Sequence, residues 1–230
     1  MATGTVDPRW PRLLSLTVHE FRTPMTVVAG YLRMLLKDRA GPVTEQQRRL
    51  LEEAEKSCTR LSALLAEVSD LANLEAGSGT FNKSTLELRP LIAEVIGALP
   101  PPPERELSVE LVEGGNTSSV VGDPTRLRTA FTSVLTALRR ELATSTRLLV
   151  REDTRPLDAR PHAWIVIADV DRFEQMAGAD AEDLATFDEW RGGNGLSLAV
   201  ARRIINAHGG HLWSPADDVR AAAVVALPRS

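Results

Sequence analysis

Residues 12–38 read RLLSLTVHEFRTPMTVVAGYLRMLLKD. Leu14, Val18, Phe21, Met25, Val28, Leu32 and Leu35 step through this stretch by four and three residues alternately. Such a repeat keeps one apolar edge in line along an α-helix and marks the seam of a coiled coil or helical bundle. Gly41-Pro42 then stops the helix. Thr44, followed three residues later by Gln47, reads as a capping box that opens a second helix. Leu51, Ala54, Cys58, Leu61, Leu65, Val68 and Ala72 repeat the same spacing there, and Gly77 and Gly79 end it. Residues 12–76 are therefore expected to form a helical hairpin. Two helices have too little mutual surface to bury two such seams, so the pattern predicts a homodimer in which two hairpins build a four-helix bundle. A hairpin packed on the rest of its own chain is the alternative.

Within the first seam His19 follows Val18 and falls beside the core, on a flank that solvent reaches. Pro24 lies five residues on, inside the periodic run. A proline there costs about 3 kcal/mol, leaves the carbonyl of Glu20 without its helical donor, and should bend the helix. An exposed imidazole can attack phosphorus. Glu20, its neighbour, can take the ring proton. Thr23, one turn along, presents a hydroxyl on roughly the same face and could orient a water. Taken alone, His19 reads more readily as a surface histidine in a kinked helix, and the set His19, Glu20, Arg22, Thr23 and Pro24 on one flank reverses that preference.

The remainder reads as mixed strands and helices. Residues 81–89 suggest a linker and short strand, Pro90–Leu99 a helix broken by Pro100–Pro103, and Leu107–Val112 a strand. Asp123 caps a helix with Pro124 at its first position, running to about Ala143. Strands follow at 147–151 and 163–168, a helix at 196–207, and a closing hairpin from 211–214 and 221–227. No βαβ regularity links them, so the fold class expected is α+β, a sheet layered with helices. The expected domains are a tail at 1–11, the hairpin at 12–76, a linker at 77–85 and the layered domain at 86–230.

Composition narrows the function. A net charge of -4 argues against general nucleic-acid binding. Aromatics at 4%, with Tyr31 the single tyrosine, argue against stacking platforms for single strands and leave the core to aliphatic residues. The lone Cys58 excludes an internal disulfide framework and a cysteine zinc cluster. No apolar run is long enough to span a membrane, and a cytoplasmic location is expected. His208 and His211 lack a third ligand in sequence, and no metal site is expected.

His19-Glu20-Phe21-Arg22-Thr23-Pro24 resembles the H-box of the two-component sensor histidine kinases, H-E-[LF]-R-T-P, over all six residues. The order of elements after the hairpin is similar to that family's ATP-binding domain. The resemblance implies that His19 is the phosphoacceptor, Glu20 the general base and Thr23 the residue that helps dephosphorylate a partner. It implies a homodimer and a response-regulator receiver domain as partner.

The resemblance is weaker in the second half. The family's helix D-x-x-R-L-x-Q-x-x-x-N-L-L-x-N-A corresponds to Asp123–Ala137, with Ser133 and Ala137 where asparagines stand. The second asparagine is the family's magnesium ligand, and alanine has no oxygen to offer. Arg140, one turn on, is expected to meet a phosphate. D-x-G-x-G becomes Asp169-Val170-Asp171-Arg172-Phe173. Asp169 matches the carboxylate that reads adenine, and side chains at 171 and 173 are expected to crowd the nucleotide. G-x-G-L-G-L survives as Gly193-Asn194-Gly195-Leu196-Ser197-Leu198, so Gly193 and Gly195 are candidate phosphate contacts at a helix start.

The lid-equivalent segment carries Glu174, Asp180, Glu182, Asp183, Asp188 and Glu189 against Arg172 and Arg191, which suits a solvated face better than a phosphate clamp. ATP and magnesium are what the resemblance implies as cofactors, and the lost residues predict that they are held weakly if at all. The expected function is phosphoryl exchange between His19 and a receiver aspartate, as phosphotransferase or phosphatase with impaired nucleotide binding. The alternatives are an ATP-dependent histidine kinase core and a non-catalytic dimeric scaffold or inhibitor.

Overall fold

A computed structural model describes residues 9–77, 79–100, 107–114, 117–143, 145–190, 195–216 and 221–230. The chain divides into two compact units, one up to Gly79 and one from Thr80.

The first unit is a hairpin of two long helices, α1 (Trp10–Leu36) and α2 (Glu45–Glu75). Pro11 begins the first, where its missing N–H costs nothing, and the helix continues through Pro24. Thr44 opens the second with the full reciprocal box. Its hydroxyl accepts from the Gln47 N–H and the Gln47 side chain accepts from the Thr44 N–H. The turn is clamped by Arg48, which donates to the Leu36 carbonyl at 2.8 Å and to both Asp38 oxygens at 2.9 Å. Arg33 faces Glu55, and the Cys58 thiol meets the Met25 carbonyl at 3.8 Å, so the helices run antiparallel.

Val18, Cys58 and Ala72 are buried between the helices. Three further seam residues are not, with Phe21 at 55%, Val28 at 48% and Leu61 at 50% exposure. The hairpin thus leaves part of each predicted seam uncovered.

The second unit is α+β. Its elements are β1 (Ser84–Glu87), α3 (Leu88–Ala98), β2 (Ser108–Leu111), β3 (Ser119–Gly122), α4 (Pro124–Glu141), β4 (Arg147–Leu157), β5 (Arg160–Asp169), α5 (Phe173–Gly178), a 3-10 turn (Ala181–Asp183), β6 (Leu184–Thr186), α6 (Ser197–Ala207), β7 (His211–Pro215) and β8 (Ala222–Pro228). Six strands form one sheet in the order β2-β4-β5-β8-β7-β6, and β1 pairs with β3 separately. Only the β2–β4 pairing in the large sheet is parallel.

Side chains on β5 alternate between faces. Trp164, Val166 and Ala168 share a cluster with Leu149, Ala222, Val224, Ala226 and, from α5, Phe173 and Met176. Ala163, Ile165 and Ile167 point the other way and are fully buried too. That second face meets the helices, whose apolar residues Leu127, Phe131, Val134, Leu135, Leu198, Ile204 and Ile205 are all buried. The sheet is therefore covered on both sides.

Three differences from the sequence reading stand out. β4 and β5 are longer than expected, 11 and 10 residues, and are joined by Asp158-Ala159 with φ of 50° and 60°, a left-handed two-residue turn made without glycine. The segment after Asp169, read as a solvated face, packs in part, and its Glu189 meets Arg202 and Arg203 of α6 at 3.2 and 3.7 Å. Before Glu189 it crosses the sheet face opposite the helices as α5 and joins the sheet edge as β6. Phe173 is consequently buried on that far face and does not crowd the helix side. Among the described residues no helix is long and apolar enough to cross a membrane.

Candidate functional site

On the hairpin, His19, Arg22, Thr23, Thr26 and Val27 line one shallow groove along α1. Their positions, i, i+3, i+4, i+7 and i+8, share one face of a helix, so the sequence places them there without tertiary help. The His19 side chain is 75% exposed, while Val18 beside it is buried and holds the turn in place. The nearer His19 ring nitrogen, Nδ1, lies 3.7 Å from Glu20 Oε1. This leaves Nε2 as the ring atom free to face an incoming group. His19, Glu20 and Thr23, the three predicted catalytic residues, are thus brought together.

Arg22 and Thr26 complete the groove and were given no role by the sequence reading, although their spacing from His19 was enough to find them. Thr26 donates its hydroxyl to the Arg22 carbonyl at 2.8 Å, a side-chain bond across the turn that contains Pro24.

In the second unit the nucleotide-type positions lie at one end of the sandwich. At the opposite end, His208 caps α6 and its Nε2 accepts from the Asp123 N–H at 2.9 Å, while Nδ1 donates to the Ile204 carbonyl at 2.7 Å. Both nitrogens are spent, so His208 is a core fastener. Burial depresses its pKa. Asp123 accepts from the N–H groups of Arg126 and Asn82 at 3.0 and 2.9 Å. Burial opposes ionisation of Asp123, but the N–H groups of Arg126, Asn82 and Thr125 outweigh it and hold the carboxyl below its usual range. Gly122 has no room for a side chain, since a Cβ would sit 2.7 Å from Leu127 Cδ1 and 3.0 Å from the His208 ring.

This junction ties the C-terminal end of α6 to the N-terminal end of α4, so the two helices pack antiparallel. The 11 residues of α6 span about 17 Å. Its N-terminal Gly195, with φ of 61°, therefore lies about level with Ser133–Ala137 of α4. Glu141, at the end of α4, accepts from the Ala221 N–H at 2.9 Å, and the Ala221 carbonyl accepts from Asp169 at 3.0 Å. Asp169, Arg140 and Gly195 thus belong to the same end of the unit. Gly193 lies outside the described residues.

The resemblance places a magnesium-ligating oxygen at position 137. Ala137 is 0% exposed and carries no oxygen, and Ser133 is only half-buried beside it. A hard divalent cation is held by oxygen ligands, which alanine does not supply. The acidic residues of the lid-equivalent segment are mostly exposed, with Asp180 and Asp183 capping the 3-10 turn and Glu189 paired with Arg202 and Arg203.

Residues 12–77 match the family model described as His Kinase A (phospho-acceptor) domain. The chain is 27% identical over 205 residues to the circadian input-output histidine kinase CikA of Synechococcus elongatus, covering 86% of this chain and 27% of that protein. It is 27% identical over 207 residues to the sensor protein GacS of Pseudomonas syringae, covering 84% and 22%. The chain spans about a quarter of the length of the curated relatives it matches. Its fold matches full-length ShkA, solved in complex with AMPPNP, with a TM-score of 0.70 at 20% identity over 96% of this chain and 46% of that one. It also matches the histidine kinase AdeS of Acinetobacter baumannii, with a TM-score of 0.56 at 18% identity over 92% and 98%.

Proposed function

Since the chain belongs to the two-component sensor histidine kinase family, we propose that it is a dimeric phosphotransfer protein that exchanges a phosphoryl group between His19 and an aspartate of a response-regulator receiver domain. The observation that carries this reading is the groove, with an exposed His19, Glu20 at its Nδ1 and Thr23 one turn away.

In the forward step the P–O bond of the receiver's aspartyl phosphate breaks and an N–P bond forms at His19 Nε2. The aspartate leaves as a carboxylate, and the proton on Nδ1 passes to Glu20. That transfer keeps the ring from carrying a full positive charge against the new bond. In the hydrolytic direction the Thr23 hydroxyl orients water at the receiver's phosphoryl group. The uncovered seam residues Phe21, Val28 and Leu61 supply the surface on which a second copy closes the bundle.

The reading includes impaired nucleotide binding, and what supports it is the missing oxygen at Ala137 and the packing of α5, the start of the lid-equivalent segment, on the far sheet face. The test is incubation of the chain with phosphorylated receiver domains while the label on His19 is followed. Transfer in either direction supports the reading, and none with any receiver overturns it.

A second reading, an ATP-dependent kinase core, draws on Asp169, Arg140 and Gly195 sharing one end of the unit, and on the fold shared with ShkA, which was solved with AMPPNP. Calorimetric titration with ATP and magnesium separates the two. Micromolar binding together with label on His19 establishes the kinase reading instead.

A further inference from the structure

We propose that Arg22 is the cation that holds the phosphoryl group while His19 carries it; the inference rests on the reading of His19 as the phosphoacceptor. Arg22 lies three residues from His19, just under one helical turn or about 4.5 Å along the axis, and both line the same groove. Its guanidinium has no carboxylate partner among the described residues. Arg48, Arg49 and Arg33 of the hairpin are engaged, with Asp38, Glu45 and Glu55, and of the arginines without such a partner Arg22 is the one that lines the groove with His19.

The remaining polar groups of the groove do not offer a second clamp. The Thr26 hydroxyl proton is committed to the Arg22 carbonyl, and Thr23 is neutral. An unpaired guanidinium beside an exposed imidazole gains nothing while the imidazole is neutral. It gains a partner when a phosphoryl group arrives with nearly two negative charges and oxygens that match the planar fork of the side chain. The interaction is therefore made in the phosphorylated state and on the way to it, which is the condition for accelerating the step.

Phosphoramidate tests this without a receiver. Its P–N bond breaks, ammonia leaves, and the phosphoryl group bonds to His19 Nε2. Phosphohistidine formation is followed by phosphorus NMR in the full chain, in Arg22→Ala, in Arg22→Lys and in the His19→Ala control. Arg22→Ala is expected to be slowed about tenfold, less than for a buried clamp because the groove is open to solvent. The pH at which the bound phosphoryl takes up its next proton should also rise in Arg22→Ala, because the neighbouring positive charge is gone. Arg22→Lys should restore that titration while recovering the rate only in part.

Arg22 is exposed, so the helix is expected to fold in each variant, with circular dichroism as the check and Arg22→Gln as the replacement if the alanine variant fails. An Arg22→Ala protein that is phosphorylated on His19 at the parent rate, with an unmoved phosphoryl titration, overturns the role of Arg22 alone. A parent protein that takes no phosphoryl on His19 overturns the reading of His19 itself.

Discussion

Leu61→Glu places a carboxylate in the middle of the second seam, where the structure leaves half of the leucine uncovered. A leucine taken from exposed to fully buried contributes about 1.5–3 kcal/mol, so the uncovered half is worth about 1 kcal/mol in each protomer of a closed bundle. Phe21 and Val28, similarly exposed, add comparable amounts, and the dimer gains about 6 kcal/mol from these positions together. The substitution removes the Leu61 share twice and brings two carboxylates into an apolar seam, which costs several kcal/mol more unless they stay protonated. Dimerisation should therefore weaken by at least about a thousandfold, at about 1.4 kcal/mol per factor of ten. Sedimentation equilibrium across micromolar concentrations reads this directly. The parent chain should be dimeric and Leu61→Glu monomeric with an unchanged helical signal. A monomeric parent chain, or a variant that dimerises as tightly as the parent, refutes the reasoning.

Thr23→Ala should leave phosphorylation of His19 intact while slowing receiver dephosphorylation by about tenfold to a hundredfold, measured as loss of label from a phosphorylated receiver. Asp123→Ala removes the cap of α4 and strands the Asn82 N–H, and should lower the stability of the second unit by about 2–4 kcal/mol in urea melts. His208 makes stability depend on pH. Its pKa is depressed in the fold, so the unfolded chain binds the extra proton as pH falls below the ordinary value of 6.5. Its contribution is full above pH 6.5 and is lost as the pH falls through the depressed value. The urea midpoint should accordingly fall on acidification from pH 7, and His208→Gln should flatten that slope.

What could be read from the chain alone was whatever is encoded at short range. The hairpin was legible because seam residues recur every three or four positions and because Thr44 and Gln47 make their cap with each other. The groove at His19 was legible for the same reason, since Arg22, Thr23 and Thr26 share its helical face by spacing. The helix at Asp123 announced itself through its cap and Pro124.

The second unit was only partly legible. β3 was missed because its four residues find their partners on β1, distant in the chain, with Ser119 opposite Glu87 and Gly122 opposite Ser84. The long hairpin of β4 and β5 was cut short in the reading because Asp158 and Ala159 take a left-handed turn that their side chains do not advertise. Helix α5 is too short to show a period. Its Phe173 could be placed on one side of the sheet or the other only when Trp164 and Leu149 were seen to receive it.

The sequence by itself determined the bundle-forming hairpin and the chemistry presented along α1, because helices and their caps are built from contacts within one or two turns. Only the tertiary structure decided that Asp169 and the end of α4 are tied together through Ala221, and on which face of the sheet α5 comes to rest. Those outcomes depend on the His208–Asp123 fastening, on the tie through Glu141 and Ala221, and on burial against strands distant in the chain. Contacts of that kind leave no local period to read.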